Sequence, residues 1–187
     1  EYGVNEMQRD ETLQKDLERI NKKLNIFDSS IFHPDSIKTQ SDTFFKVFTP
    51  FSRAFRSKLM SKKIEISELP KIQEHAISVS DRIESFKLDK NDQEIFNQYE
   101  IGEEKALEKL ESFIDHKILN YKENRDFPSL DGTSALSPYL SSGILSSGQC
   151  IFYVFQKYSE DEIGVKTWVN EIIWREFYKY ILFHNPR

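Results

Sequence analysis

Trp168, Glu171, Trp174, Arg175 and Tyr178 recur at intervals of one or three residues near the end of the sequence. At about 100° per residue they fall on one side of a helix. An indole offers a plane for stacking, a carboxylate accepts hydrogen bonds from imide or amine edges, and a guanidinium binds a phosphate or a carbonyl. Val169, Ile172, Ile173, Phe177 and Ile181 fill much of the remaining circumference, so the helix is apolar where a surface helix would meet water. Such a helix is buried, and its aromatic and charged stripe needs a polar partner or a cavity. The alternative is an internal salt bridge with tryptophan filling core space, and spacing alone leaves both readings open.

The preceding loop adds a second set of groups. Asn124-Arg125-Asp126-Phe127-Pro128 and Asp131-Gly132-Thr133-Ser134-Ala135-Leu136-Ser137 place hydroxyls and backbone N–H groups just ahead of a helix start. That arrangement can hold a pyrophosphate without lysines, although most Thr-Ser pairs at such a place only cap a helix.

Other chemistries find little support. The six glycines are dispersed and form neither a phosphate-binding loop nor a dinucleotide fingerprint. His33, His75, His116 and His184 are isolated from one another and from the single cysteine, Cys150, so no metal site is expected and the histidines read as surface or capping residues. Cys150 lies on an apolar helical stretch with Ile151, Val154 and Phe155 and reads as plain core. One cysteine cannot form an internal disulfide, so a reducing, cytoplasmic setting is the default.

The 187 residues, 38% hydrophobic and 30% charged, suit a globular protein with a real core. No membrane span and no signal peptide are legible. A net charge of −5 argues against a protein that simply coats nucleic acid, while leaving room for a local basic groove. Charge is unevenly placed: six basic residues and no acid lie between Thr43 and Ile64, against ten basic and fourteen acidic from Tyr99 to Arg187. The plain reading of the basic run is a solvated helix face.

These groups need elements to position them. Glu1 to Val4 reads as the end of a strand, followed by a helix in which Met7, Leu13, Leu17, Ile20 and Leu24 recur at helical spacing. With no parallel strands following, the chain is expected to enter an α/β domain late, and the absent initiator Met agrees. From Ser29 to Gln98 the periodicity breaks, with Pro34, Pro50 and Pro70 and one short helix lined by Phe51, Phe55 and Leu59. This reads as a long ordered connection anchored by Phe44, Phe45, Val47, Phe48 and Leu69. Ala106, Leu107, Leu110, Phe113, Ile114 and Ile118 then stripe a helix, and 120–134 is a polar loop. Ser137-Pro138 reads as an N-cap with proline at the first helical position, Ser146 to Gln149 has capping-box spacing, and Val165 to Phe183 is the longest helix.

Together these residues resemble the photolyase/cryptochrome family, most closely the class I cyclobutane pyrimidine dimer photolyases. The resemblance is carried by Tyr121-Lys122-Glu123-Asn124-Arg125-Asp126-Phe127-Pro128, Gly132-Thr133-Ser134-Ala135-Leu136-Ser137-Pro138-Tyr139-Leu140, Gly143-Ile144-Leu145-Ser146 and Trp168-Val169-Asn170-Glu171-Ile172-Ile173-Trp174-Arg175-Glu176-Phe177-Tyr178. Upstream, Tyr2-Gly3-Val4-Asn5-Glu6 and Lys46-Val47-Phe48-Thr49-Pro50-Phe51 resemble the end of the family's antenna domain and its linker.

The resemblance implies a mainly α fold in three parts: the end of an α/β, Rossmann-like antenna domain at 1–30, an interdomain linker at 31–98, and the first part of an all-α FAD-binding domain at 99–187. It implies light-dependent DNA repair in which excited reduced flavin donates an electron to a flipped pyrimidine dimer, the ring splits and the electron returns. Tyr121, Thr133, Ser134, Ala135, Leu136, Ser137, Trp168, Glu171 and Arg175 match flavin-binding positions. Trp174 matches the aromatic wall for the dimer, Glu171 the carboxyl that bonds a damaged base, and Arg125, Arg175 and Tyr178 other DNA contacts. Asn5 and Glu6 match antenna positions for a folate, methenyltetrahydrofolate, in some members. Ala135 stands where an arginine is common and Ser147-Gly148 where Pro-Arg is frequent, removing a cation at each. The implied partner is UV-damaged DNA, bound by a monomer; the 187 residues are expected to be a middle piece, inactive alone. A cryptochrome-type photoreceptor and a non-catalytic helical module are the other two readings.

Overall fold

A computed structural model of the chain describes residues 3–62, 64–66 and 100–186, and all structural statements concern these. The elements are α1 (Val4–Arg19), a 3-10 turn (Pro34–Ser36), α2 (Phe48–Ser61), α3 (Glu103–His116), a 3-10 turn (Ile118–Asn120), α4 (Tyr121–Asn124), α5 (Ser137–Ser142), α6 (Ser147–Lys157) and α7 (Ile163–His184). The fold is helical, with no strand among the described residues. The strand expected to end at Val4 is therefore not found: Val4 opens α1, and Glu1 and Tyr2 lie outside the described residues, as do Leu69, Pro70 and His75.

α7 is the axis. It packs against α2, α4, α6 and both 3-10 turns. Val169, Ile172, Ile173 and Phe177 are buried, as the apolar circumference predicts, while Ile181 is half-buried; Val165, Trp168 and Tyr180 are buried as well, and removing a large apolar side chain from water is worth roughly 1.5–3 kcal/mol. Gly164 permits the crossing at its start, because a Cβ there would strike the carbonyls of Ile118 and Leu119. α2 buries Phe51, Phe55 and Leu59, and α3 buries Ala106, Leu110, Phe113 and Ile114, matching the stripes read from sequence.

α1 differs from the rest. Leu13 and Ile20 are exposed, and none of the apolar residues at helical spacing joins the core, so its periodicity describes a face that the described residues do not cover. In the described part of the connection Phe44, Phe45 and Phe48 pack on the core as expected, whereas Val47 is exposed; residues 67–99 lie outside the described residues.

Two buried polar groups of α7 fasten this connection. Glu176 Oε2 accepts the Ile31 N–H at 2.9 Å. The Tyr180 hydroxyl accepts from Phe45 N–H at 2.8 Å and donates to the Ile37 carbonyl at 2.9 Å. Main-chain groups that would otherwise be buried without partners are thereby satisfied.

Candidate functional site

Tyr121, read as part of a polar loop, is buried at the start of α4. Its ring meets Phe113 edge-on at 5.8 Å, and an aromatic so packed favours helical backbone over a solvated loop. The Arg125 guanidinium lies over the same ring at 5.4 Å. Arg125 Nη1 donates to Glu171 Oε1 at 2.6 Å, and this bond is the main reason the guanidinium's pKa is raised. Glu171 and Trp174, one turn apart on α7, are both half-buried, and Tyr178 a further turn along is exposed.

The helical stripe therefore divides. Trp168 is buried against Phe113, ring centroids 5.3 Å apart, and fills core. Glu171, Trp174 and Tyr178 form an accessible edge with Arg125 beside it. Arg175 turns instead toward α5, where Nη2 donates to the Leu140 carbonyl at 2.7 Å. Trp168 packs as core and Glu171 pairs with an arginine, as the salt-bridge reading of the spacing has it, but at an edge that solvent reaches.

Thr133, Ser134 and Ala135 line a different recess, of about 440 Å³, walled by α3, Lys117 and Asp131 and by none of Trp168, Glu171, Trp174 or Arg175. Leu136, next in sequence, is buried. Ala135 has φ 49°, a left-handed conformation uncommon for a residue with a Cβ. This turn brings the helix in so that Leu136 is the N-cap and Ser137 the first helical residue, one place earlier than read from sequence. The capping box at Ser146 and Gln149 forms as expected, with bonds of 2.8 and 3.1 Å.

Sequence reasoning missed Lys109 and Lys117, which line the recess. Lone lysines on a charged helix carry no distinguishing pattern. Lys117 Nζ donates to Asp131 Oδ2 at 2.5 Å, and this bond holds the carboxyl below its usual range. The recess thus carries two cations, Lys109 and Lys117, against three carboxylates, Glu100, Glu108 and Asp131, and Ala135 adds no charge.

The basic run of α2 is divided between paired and exposed residues. Arg56 pairs with Glu160 and donates to Asn170 Oδ1 at 3.3 Å, and Lys58 donates to the Ser36 carbonyl at 2.7 Å. Arg53 and Lys62 are exposed, and Lys63 lies outside the described residues. Among the histidines, His33 caps the 3-10 turn by accepting the Asp35 N–H, while His184 stacks on Phe44 at 4.9 Å. Asn5 is exposed and Glu6 half-buried in the first turn of α1. No group of metal-ligating side chains occurs among the described residues, and no helix there is long and apolar enough to cross a membrane.

The order of these elements has known counterparts. The family model for DNA photolyase matches residues 1–73. Deoxyribodipyrimidine photo-lyase of Vibrio cholerae is 32% identical over all of this chain and 40% of its own length, and that of Escherichia coli is 32% identical over all of this chain and 39% of its own. Over its whole length this chain is similar to DNA photolyases. It also superimposes over its whole length on 40% of the crystal structure of a class III photolyase from Agrobacterium tumefaciens, with TM-score 0.77 and 27% identity. The chain thus spans about 40% of the length of the photolyases it matches.

Proposed function

We propose that this chain forms part of a light-dependent DNA repair enzyme that splits cyclobutane pyrimidine dimers with FAD. The observation that carries the reading is the half-exposed edge where Arg125, Glu171 and Trp174 lie together, Arg125 and Glu171 joined at 2.6 Å. Trp174 supplies a stacking plane for an extruded base, worth roughly 1–3 kcal/mol. Glu171 accepts a base N–H, and Arg125 meets a phosphate. Extrusion costs least at a lesion already poorly stacked, which adds selectivity.

Thr133, Ser134, Lys109 and Lys117 supply the hydroxyl and amino donors that would hold the pyrophosphate of FAD, against Glu100, Glu108 and Asp131 in the same lining and with Lys117 paired to Asp131. When bound, the flavin supplies the electron chemistry, and the chain's own residues bind, orient and exclude water. Trp168 packs on Phe113, which lines the recess. Domain limits of 1–30, 31–98 and 99–187 belong to the same reading, as do Asn5 and Glu6 as folate contacts. The class I assignment rests on the residue blocks alone, since the solved structure compared above is a class III photolyase.

The test is repair of a thymine-dimer oligonucleotide under blue light by the natural full-length gene product. Light-dependent loss of dimers supports the proposal. A yellow protein that restores no dimers favours a cryptochrome-type photoreceptor, and a protein that holds no flavin even after reconstitution favours a purely structural helical module.

A further inference from the structure

The Phe48 ring lies flat on the indole of Trp174, with centroids 3.6 Å apart and planes 6° apart. Aromatic pairs prefer offset or edge-on contacts with wider centroid separations, and the other rings around Trp174 adopt them: Phe177 at 5.8 Å and 73°, Tyr178 at 5.6 Å and 28°. A face-to-face pair at a half-exposed site is held there by its backbone. Phe48 is the first residue of α2. The α2–α7 contact fixes it through Phe51, which packs on Phe177 at 5.0 Å and Tyr180 at 4.7 Å, while Phe48 itself meets Phe177 edge-on at 5.7 Å.

We infer that Phe48 is the positioning residue for Trp174: it covers one face of the indole, sets its plane, and leaves the opposite face as the only one an extruded base can stack on. This rests on the reading of Trp174 as the lesion wall. A partly exposed tryptophan without a backing ring samples several rotamers and must be ordered when the base arrives, so part of the stacking gain is lost. Intact duplex extrudes no base and does not sense the difference.

The experiment measures binding of the natural full-length, FAD-loaded protein to a thymine-dimer duplex and to the undamaged duplex, for wild type, Phe48→Leu, Phe48→Tyr and Trp174→Ala. Phe48→Leu keeps apolar bulk without the plane and is expected to weaken dimer binding roughly fivefold to tenfold, the lower end of what one stacked base contributes, with undamaged binding unchanged. Phe48→Tyr restores the plane and the affinity. Unchanged discrimination in Phe48→Leu while Trp174→Ala loses it would overturn the inference alone. Equal losses on both duplexes in Phe48→Leu, or no rescue by Phe48→Tyr, would also overturn it by assigning Phe48 a general structural role. If Trp174→Ala itself keeps full discrimination, both the inference and the reading beneath it fail.

Discussion

Arg125 bridges the Tyr121 ring and the Glu171 carboxylate, 5.4 Å from one and bonded at 2.6 Å to the other, so the two residues assigned to the DNA backbone and to the damaged base hold each other while neither is engaged. The pair is partly exposed, so its net contribution to stability is small. Its importance is positional: the cation is kept beside the edge where a phosphate would arrive. Arg125→Ala should weaken binding to damaged and intact duplex alike and flatten the dependence of log K on log salt by about one unit. Titrations in rising KCl check this, and an unaltered slope removes Arg125 from the phosphate contacts.

The two tryptophans of α7 should separate in a denaturation experiment. Trp168 is buried against Phe113, and Trp168→Ala is expected to cost about 3–5 kcal/mol of stability, the usual range for deleting a large core aromatic. Trp174 is half-exposed, and Trp174→Ala should cost much less stability while erasing the preference for dimer-containing DNA. Urea unfolding followed by circular dichroism measures the first quantity and competitive binding the second. Comparable destabilisation by both substitutions would make Trp174 a core residue.

How much of this was legible in the sequence depends on whether a feature is local. The period of α7 and the capping box at Ser146 are written in neighbouring residues, and both form. The stripe on α7 was legible as a face but not in its division, because what buries Trp168 is Phe113, 55 positions earlier, and no periodicity records a partner so distant. The same holds for Phe48 on Trp174 and for Tyr121, whose helix is stabilised by a ring on α3 rather than by its own propensity. Leu13 and Ile20 show the converse: helical spacing specifies a face without specifying what covers it.

Tyr180 ties the connection to the core through a hydroxyl that accepts from Phe45 N–H and donates to the Ile37 carbonyl. Tyr180→Phe keeps the ring and strands both main-chain groups, at about 1–3 kcal/mol for each one left buried without a partner. The loss should appear as earlier protease cleavage in the connection before α2, because those two bonds hold the chain between Ile37 and Phe45. Unchanged cleavage kinetics and an unchanged unfolding midpoint would show that water replaces the hydroxyl without penalty.

Cys150 is fully buried in α6, and burial pushes its thiol from the ordinary 9.0 up to about 12, the nearby Arg175 opposing only in part. The folded protein therefore keeps the proton that the unfolded chain releases above about pH 9. The thiol's contribution to stability is fully present below that pH and is lost as pH rises toward 12, with a slope of at most about 1.4 kcal/mol per pH unit. Two measurements follow. At pH 8 the native protein should react with iodoacetamide only as fast as it opens, and urea should release the full rate. Between pH 9 and 11, Cys150→Ala should lose stability less steeply than the wild type. The buried tyrosines 121 and 180 also have raised values and titrate in both proteins, so the difference between the two slopes isolates the thiol. Parallel slopes, or rapid labelling of the native state, would place Cys150 in contact with solvent.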